Sequence, residues 1–173
     1  MKIKIGILGA GRVANHYLYI LKKYNFKNIK IVGIADIRIN NAKVISKKLS
    51  CNYYNSFEEM TEDQQLDLIF ILTPSGSHFS HVKNALNKNI NVLVEKPISM
   101  NPIQIKKLIN LSNKRNLLLS VAFQNRLNPA LLFAKNILKN KKLGKIISSS
   151  VRLRWCRLQE YYNDDWHGTW AMD

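Results

Sequence analysis

The sequence predicts an α/β fold, a doubly wound parallel sheet followed by the start of an α+β unit. Three observations predict it. Short apolar runs alternate with helix-period segments from the amino terminus to position 122. These runs are rich in Ile, Val and Leu, and those over 68–72 and 92–94 are continuously apolar, as strands buried on both faces are. They end at glycine, aspartate or proline, residues that punctuate loops.

The elements follow in order. Lys2 to Leu8 is the first strand, and Arg12 to Tyr24 the first helix, with Val13, Tyr17, Leu18, Ile20, Leu21 and Tyr24 spaced for one face. Ile29 to Ala35 is a second strand, ending at Asp36. Asn40 to Leu49 reads as a helix through Ala42, Val44, Ile45 and Leu49. Ser56-Phe57-Glu58-Glu59 has the form of a capped short helix. Asp67 to Leu72 is a buried strand, His78 to Asn87 a helix, and Asn91 to Val94 another strand. Asn101-Pro102 sets a capping residue before a first-turn proline, opening a helix with Ile105, Leu108, Ile109 and Ser112 on one side. Leu117 to Ala122 closes the series. Pro129 to Leu138 then reads as a helix. Ile146 to Leu158 reads as one long strand, where Val151, Leu153 and Trp155 alternate with Arg152 and Arg154. The boundary falls at Ala122, giving units 1–122 and 123–173, the second too short for a stable core of its own.

Composition narrows the function classes. Apolar residues make up 46% of the 173, enough for a packed core. No apolar run reaches membrane-spanning length and no signal peptide is visible, so no membrane partner is expected and the compartment reads as cytoplasmic. Cys51 and Cys156 form no C-x-x-C pair and read as free thiols. The net charge of +16 raises the question of nucleic acid. The lysines are dispersed, no basic run interleaves with aromatics, and Lys, Asn and Ile are overused together, which points to coding bias. No nucleic-acid partner is expected.

Four motifs carry chemistry. Gly9-Ala10-Gly11-Arg12-Val13-Ala14 is G-x-G-x-x-A between a strand and a helix, the context of a Rossmann-type dinucleotide turn. Gly9 allows the tight turn, Gly11 allows the backbone to approach a pyrophosphate, and Ala14 allows close helix packing. The amide hydrogens of Arg12 and Val13 open the helix toward phosphate. Asp36 ends strand two, where an acid bonds the ribose hydroxyls and repels a 2′-phosphate, favouring NAD; Arg38 nearby is the feature that could admit NADP. Thr73-Pro74-Ser75-Gly76-Ser77-His78 follows a strand on the ligand side. His78 and His81 stand at i, i+3, but no third metal ligand is in view, so both read as surface or cofactor-side histidines. Glu95-Lys96-Pro97 ends the next strand. A lysine beside a nicotinamide cation feels repulsion and desolvation, which suit Lys96 to move a proton.

These motifs, in this order, resemble the Gfo/Idh/MocA family of nicotinamide-dependent sugar and cyclitol oxidoreductases. The resemblance implies a catalytic Lys96, a cis bond beside it, and cofactor contacts from Thr73, Pro74, His78, Glu95, Lys96 and Gln124. The segments Gln124 to Pro129, Arg154 to Arg157, Tyr161-Tyr162 and Trp166 to Asp173 resemble one branch. That branch is the UDP-N-acetyl-2-amino-2-deoxyglucuronate 3-dehydrogenases of bacterial surface-polysaccharide synthesis. It implies a small-molecule UDP-sugar substrate, a homo-oligomer in the intact protein, and substrate contacts from Lys96, Arg126, Arg154, Arg157 and Tyr161. Arginines suit a pyrophosphate and a carboxylate. His167 stands where the branch has arginine. The family's length implies that the chain is an amino-terminal fragment. Other sugar or inositol dehydrogenases of the family, and a non-catalytic NAD-binding remnant, are the alternatives.

Overall fold

The computed structural model describes residues 2–164 and 166–172. Six strands form one sheet in the order β3-β2-β1-β4-β5-β6: β1 (Ile3–Leu8), β2 (Ile29–Ala35), β3 (Asn52–Tyr54), β4 (Leu68–Ile71), β5 (Asn91–Glu95) and β6 (Leu119–Ala122). Every pairing is parallel. The helices are α1 (Arg12–Tyr24), α2 (Ile39–Leu49), α3 (Phe57–Asp63), α4 (His78–Asn87), α5 (Pro102–Lys114) and α6 (Pro129–Lys139).

Alternation along each strand divides the core into two layers. Ile5, Ile7, Ile34 and Phe70 pack under α1 and α2 with Ala14, Leu18, Ala42 and Ile45. Leu8, Ala35, Ile69, Ile71, Val92 and Val94 pack under the other helices with Met60, Val82, Leu86 and Leu108. Helices on both faces make the doubly wound Rossmann-type fold. The helix starts are built as the sequence predicts. Ser56 Oγ accepts the Glu59 amide at 3.1 Å, and Asn101 Oδ1 accepts the Ile103 amide at 2.8 Å ahead of Pro102.

Several expectations change. β3 is an additional short strand, and α3 runs on to Asp63. Val13, Tyr24, Val44 and Ile109 are exposed rather than part of the core faces. The long strand over Ile146 to Leu158 does not form: these residues pair with no strand, and Val151 and Leu153 are exposed. Alternation marks which sides a chain would present, but a strand needs a hydrogen-bonding neighbour, and none lies beside this segment among the described residues. No helix among them is long and apolar enough to cross a membrane.

Candidate dinucleotide site

The chain leaves β1 toward β2 on one side and reaches β4 on the other, so the order reverses at the carboxyl ends of β1 and β4. Open α/β sheets bind ligands at this switch point. The register aligns the candidates there. Leu8 pairs with Ala35 and Ile71, Ile71 with Val94, and Glu95 with Ala122. Gly9, Asp36, Thr73, Lys96 and Gln124 therefore leave the sheet along one edge.

Gly9 has φ +100°, open to glycine and strained for other residues, and a Cβ there would stand 2.8 Å from the Leu72 carbonyl. Gly11 caps α1 with φ −84° and ψ −158°, extended backbone that any residue adopts. A Cβ on Gly11 would meet nothing within 4 Å among the described residues. The first turn of α1 carries no acidic residue and no side-chain cap, so the Arg12 and Val13 amides face outward uncapped. Ala14 is buried at 1% exposure, closing the helix onto β1. A dinucleotide phosphate fits this turn: the space over Gly11 is open, and uncapped amides line it.

Asp36 holds the turn together. Its Oδ2 accepts the Ala10 amide at 2.6 Å, and its Oδ1 accepts the Arg38 amide at 2.7 Å. The carboxylate sits half-buried at the end of β2 with lone pairs left for ribose hydroxyls.

The β4 and β5 loops are tied by a buried histidine. His78 Nδ1 faces the Pro97 carbonyl at 2.6 Å, and Nε2 faces the Thr73 carbonyl at 2.7 Å. Both partners are backbone carbonyls, so the ring nitrogen that carries the hydrogen donates to the one it faces. His78 thus fixes the cis Lys96–Pro97 turn to the Thr73-Pro74 loop. Thr73 Oγ1 meets His81 Nδ1 at 3.0 Å. Burial, then the neighbouring His78, hold His81 below the ordinary imidazole range against the pull of Glu58. Among the described residues no cluster of three His, Cys, Asp or Glu could hold a metal.

Lys96 is exposed at the edge, and among the described residues its ammonium has no hydrogen-bond or ion-pair partner. Glu95 is held instead. The Tyr17 hydroxyl donates to its Oε1 at 3.0 Å, and the Lys96 amide approaches Oε2 at 3.3 Å. Burial, the Glu95 charge and this bond raise the Tyr17 phenol well above its usual range. Gln124 and Arg126 are exposed in the turn after β6, with the Arg126 guanidinium 5.4 Å from the Phe123 ring centre.

The carboxyl-terminal segment returns to the same edge. Arg12 Nη2 lies 3.1 Å from His167 Nε2 and its guanidinium 4.8 Å from the Tyr161 ring centre. Arg157 stands 5.1 Å from that ring and 4.0 Å from that of Trp155. Arg154 is exposed and is not brought to the turn. Cys51 and Cys156 are unbonded, and burial pushes the Cys51 thiol up to about 11.

A family model described as an oxidoreductase family with an NAD-binding Rossmann fold matches residues 3–123. The chain belongs to the Gfo/Idh/MocA family. It is 29% identical over 147 residues to trans-1,2-dihydrobenzene-1,2-diol dehydrogenase of Xenopus tropicalis, covering 84% of this chain and 44% of that protein. Among solved structures, the WlbA dehydrogenase of Chromobacterium violaceum, crystallised with NADH and UDP-GlcNAcA, superposes with TM-score 0.95 at 28% identity. That match covers 99% of this chain and 50% of the other. Scyllo-inositol dehydrogenase of Lactobacillus casei, with bound NAD(H) and scyllo-inositol, superposes at TM-score 0.76 and 25% identity, covering 83% of this chain and 43% of the other. The chain thus spans about half the length of the relatives it matches.

As a Gfo/Idh/MocA domain the chain uses further residues that its sequence does not announce. Tyr17 reads as one more apolar position on α1, yet its hydroxyl fixes Glu95. The Ala10 amide is taken up by Asp36. Gly76 gains its role only through its contact with the distant Met172 carbonyl. No local pattern marks any of these.

Proposed function

We propose that the chain is the NAD-binding part of a sugar dehydrogenase, with the domain ending near Ala122. The glycine turn takes the pyrophosphate and Asp36 takes the adenosine ribose, which favours NAD over NADP. Thr73, Pro74, Glu95 and Gln124 line the path toward the nicotinamide end. His78, expected from the sequence at the surface or against the cofactor, is buried behind them with both ring nitrogens on backbone carbonyls and holds the loops in place. The substrate reading is UDP-N-acetyl-2-amino-2-deoxyglucuronate oxidised at C3, a step of surface-polysaccharide synthesis in the cytoplasm. The observation that carries it is the extent of the WlbA likeness, 99% of the chain against 83% for the inositol enzyme. It therefore includes the segment bearing Arg154, Arg157 and Tyr161.

Bound NAD supplies the hydride acceptor. Lys96, whose ammonium has no partner among the described residues, stands at the end of β5 where, as the neutral amine, it takes the proton of the reacting hydroxyl. His78 fixes the turn that carries Lys96, and Tyr17 with Glu95 fixes the residue before it. Arg126, Arg154 and Arg157 supply guanidinium groups for substrate phosphate and carboxylate, and Tyr161 covers one sugar or base face. The intact enzyme is read as a homo-oligomer.

NADH formation is the test. The chain is incubated with NAD and either the UDP-sugar acid or free cyclitols. Turnover with the UDP-sugar acid, lost in Lys96→Met, is the expected outcome. Turnover with cyclitols alone removes the substrate reading. Binding of NADH without turnover on any alcohol leaves this chain a dinucleotide-binding unit.

A further inference from the structure

The turn proposed to hold the dinucleotide is also where the carboxyl-terminal segment docks. Two loops of the sheet edge receive it. After β1, Arg12 meets His167 and the Tyr161 ring. After β4, the Gly76 amide donates to the Met172 carbonyl at 3.2 Å. Gly76 has no positive φ, so its backbone is open to any residue. A Cβ there would nevertheless collide with the Ala171 carbonyl and stand 2.9 Å from Met172 Cα.

The first contact has a defined polarity. Arginine has only donors, so His167 Nε2 must accept, and the hydrogen of the neutral ring sits on Nδ1. Nδ1 faces Asp164 Oδ2 and donates to it, while the His167 backbone amide donates to Asp164 Oδ1 at 2.9 Å. The ring is further clamped by Trp166, stacked at 3.6 Å, and by Tyr161 at 4.1 Å. At 8% exposure His167 is the one buried residue beyond position 123 among those described. Asp164 thus sets the ring, the ring sets Arg12, and Arg12 follows Gly11 at the first position of α1.

We infer that His167 is a positioning residue: it latches the carboxyl-terminal segment to Arg12, coupling dinucleotide occupancy of the glycine turn to the seating of that segment. This rests on the proposed dinucleotide reading of the turn. Two events that share Arg12 are linked reciprocally: whatever seating contributes to cofactor affinity, the cofactor contributes to seating. The segment carries Arg157 and Tyr161 on the same latch, so the cofactor prepares the surface that meets substrate.

The test uses NADH titration by fluorescence together with amide hydrogen exchange over residues 159–172. In the unaltered chain, NADH slows exchange in this segment. His167→Ala removes that protection and weakens NADH by roughly fivefold or more, the range of ordinary coupling energies. The conservative variants separate positioning from bulk. A Gln amide reaches the place of Nε2 and can accept from Arg12, so His167→Gln retains protection and affinity. An Asn amide reaches only the place of Nδ1, so His167→Asn keeps the Asp164 bond and loses the latch. Gly76→Ala reaches the same segment from the other loop and gives the same losses in a chain whose melting temperature is unchanged. Equal NADH affinity and equal exchange in unaltered, His167→Ala and Gly76→Ala chains overturns the inference while leaving the cofactor reading intact. No NADH binding by the unaltered chain overturns both.

Discussion

Gly9 and Gly11 stand two positions apart and are glycine for different reasons. Gly9 serves the protein: its φ is +100° and the backbone after β4 fills the space where a Cβ would go. Gly11 meets no such demand among the described residues, since its dihedrals are ordinary and a Cβ would stand clear of them. The two substitutions should therefore separate stability from binding. Gly9→Ala is expected to cost about 1–3 kcal/mol of folding stability through backbone strain, with further cost from the overlap with Leu72. Gly11→Val is expected to leave the urea midpoint unchanged and to weaken NADH at least tenfold, about 1.4 kcal/mol or more. A Gly11→Val chain that binds NADH normally removes the phosphate reading of this turn. Asp36 unites both roles, because it accepts the Ala10 amide and faces the proposed ribose. Asp36→Ala should lose NADH binding and also about 1–3 kcal/mol of stability, the cost of an amide left without its carboxylate. Calorimetry and denaturation measured on the same sample check the pair.

The elements differ in how far the sequence discloses them. The strands β1, β2, β4 and β5 were legible as apolar runs and the helix α1 by its period, each bounded by a residue with a local physical job. β3 was not, since three residues of which two are Tyr give no period. The glycine turn was legible because its demands are met within six residues. Tyr17 and Glu95 lie 78 positions apart, and Arg12 and His167 lie 155 apart. Neither pair leaves a pattern in the chain, because strand order joins the first and the return of the carboxyl-terminal segment to the sheet edge joins the second. His78 and His81 fall between these cases: the spacing was visible, while the joining of the β4 and β5 loops was not. His81, beside that junction, makes α4 sensitive to acid. His81 has a folded pKa held below its ordinary 6.5 by burial and by His78. The unfolded chain therefore takes up the proton first, and stability falls as the pH drops below about 6.5. The loss levels off once the folded form is protonated too. Urea midpoints measured from pH 7.5 to 5 should decline, and His81→Gln should decline less. Parallel curves for the two chains would rule out His81 as a source of the slope.

Across the whole molecule, the Rossmann-type unit and the remainder bury their apolar residues to opposite extents. The unit to position 122 divides its core over both sheet faces. Beyond it, Leu127, Phe133, Ile147, Val151, Leu153 and Trp155 are all exposed, and α6 has no buried residue. A run of large exposed side chains of this kind marks a surface that associates. The net charge of +16 acts in the other direction, holding copies apart. Which effect prevails depends on salt, because repulsion between surface charges is screened beyond about 10 Å at 0.1 M ionic strength and apolar contact is not. Self-association should therefore grow with ionic strength as well as with concentration. Sedimentation or light scattering would read this as a weight-average mass that rises from 50 to 500 mM salt. Val151→Lys with Leu153→Lys, two exposed residues of the unpaired segment, should lower the mass at every salt concentration. Association that weakens with salt would instead mean that counter-ions or charge pairs hold the copies together. A mass that stays monomeric throughout would mean the exposed residues find no partner in a second copy.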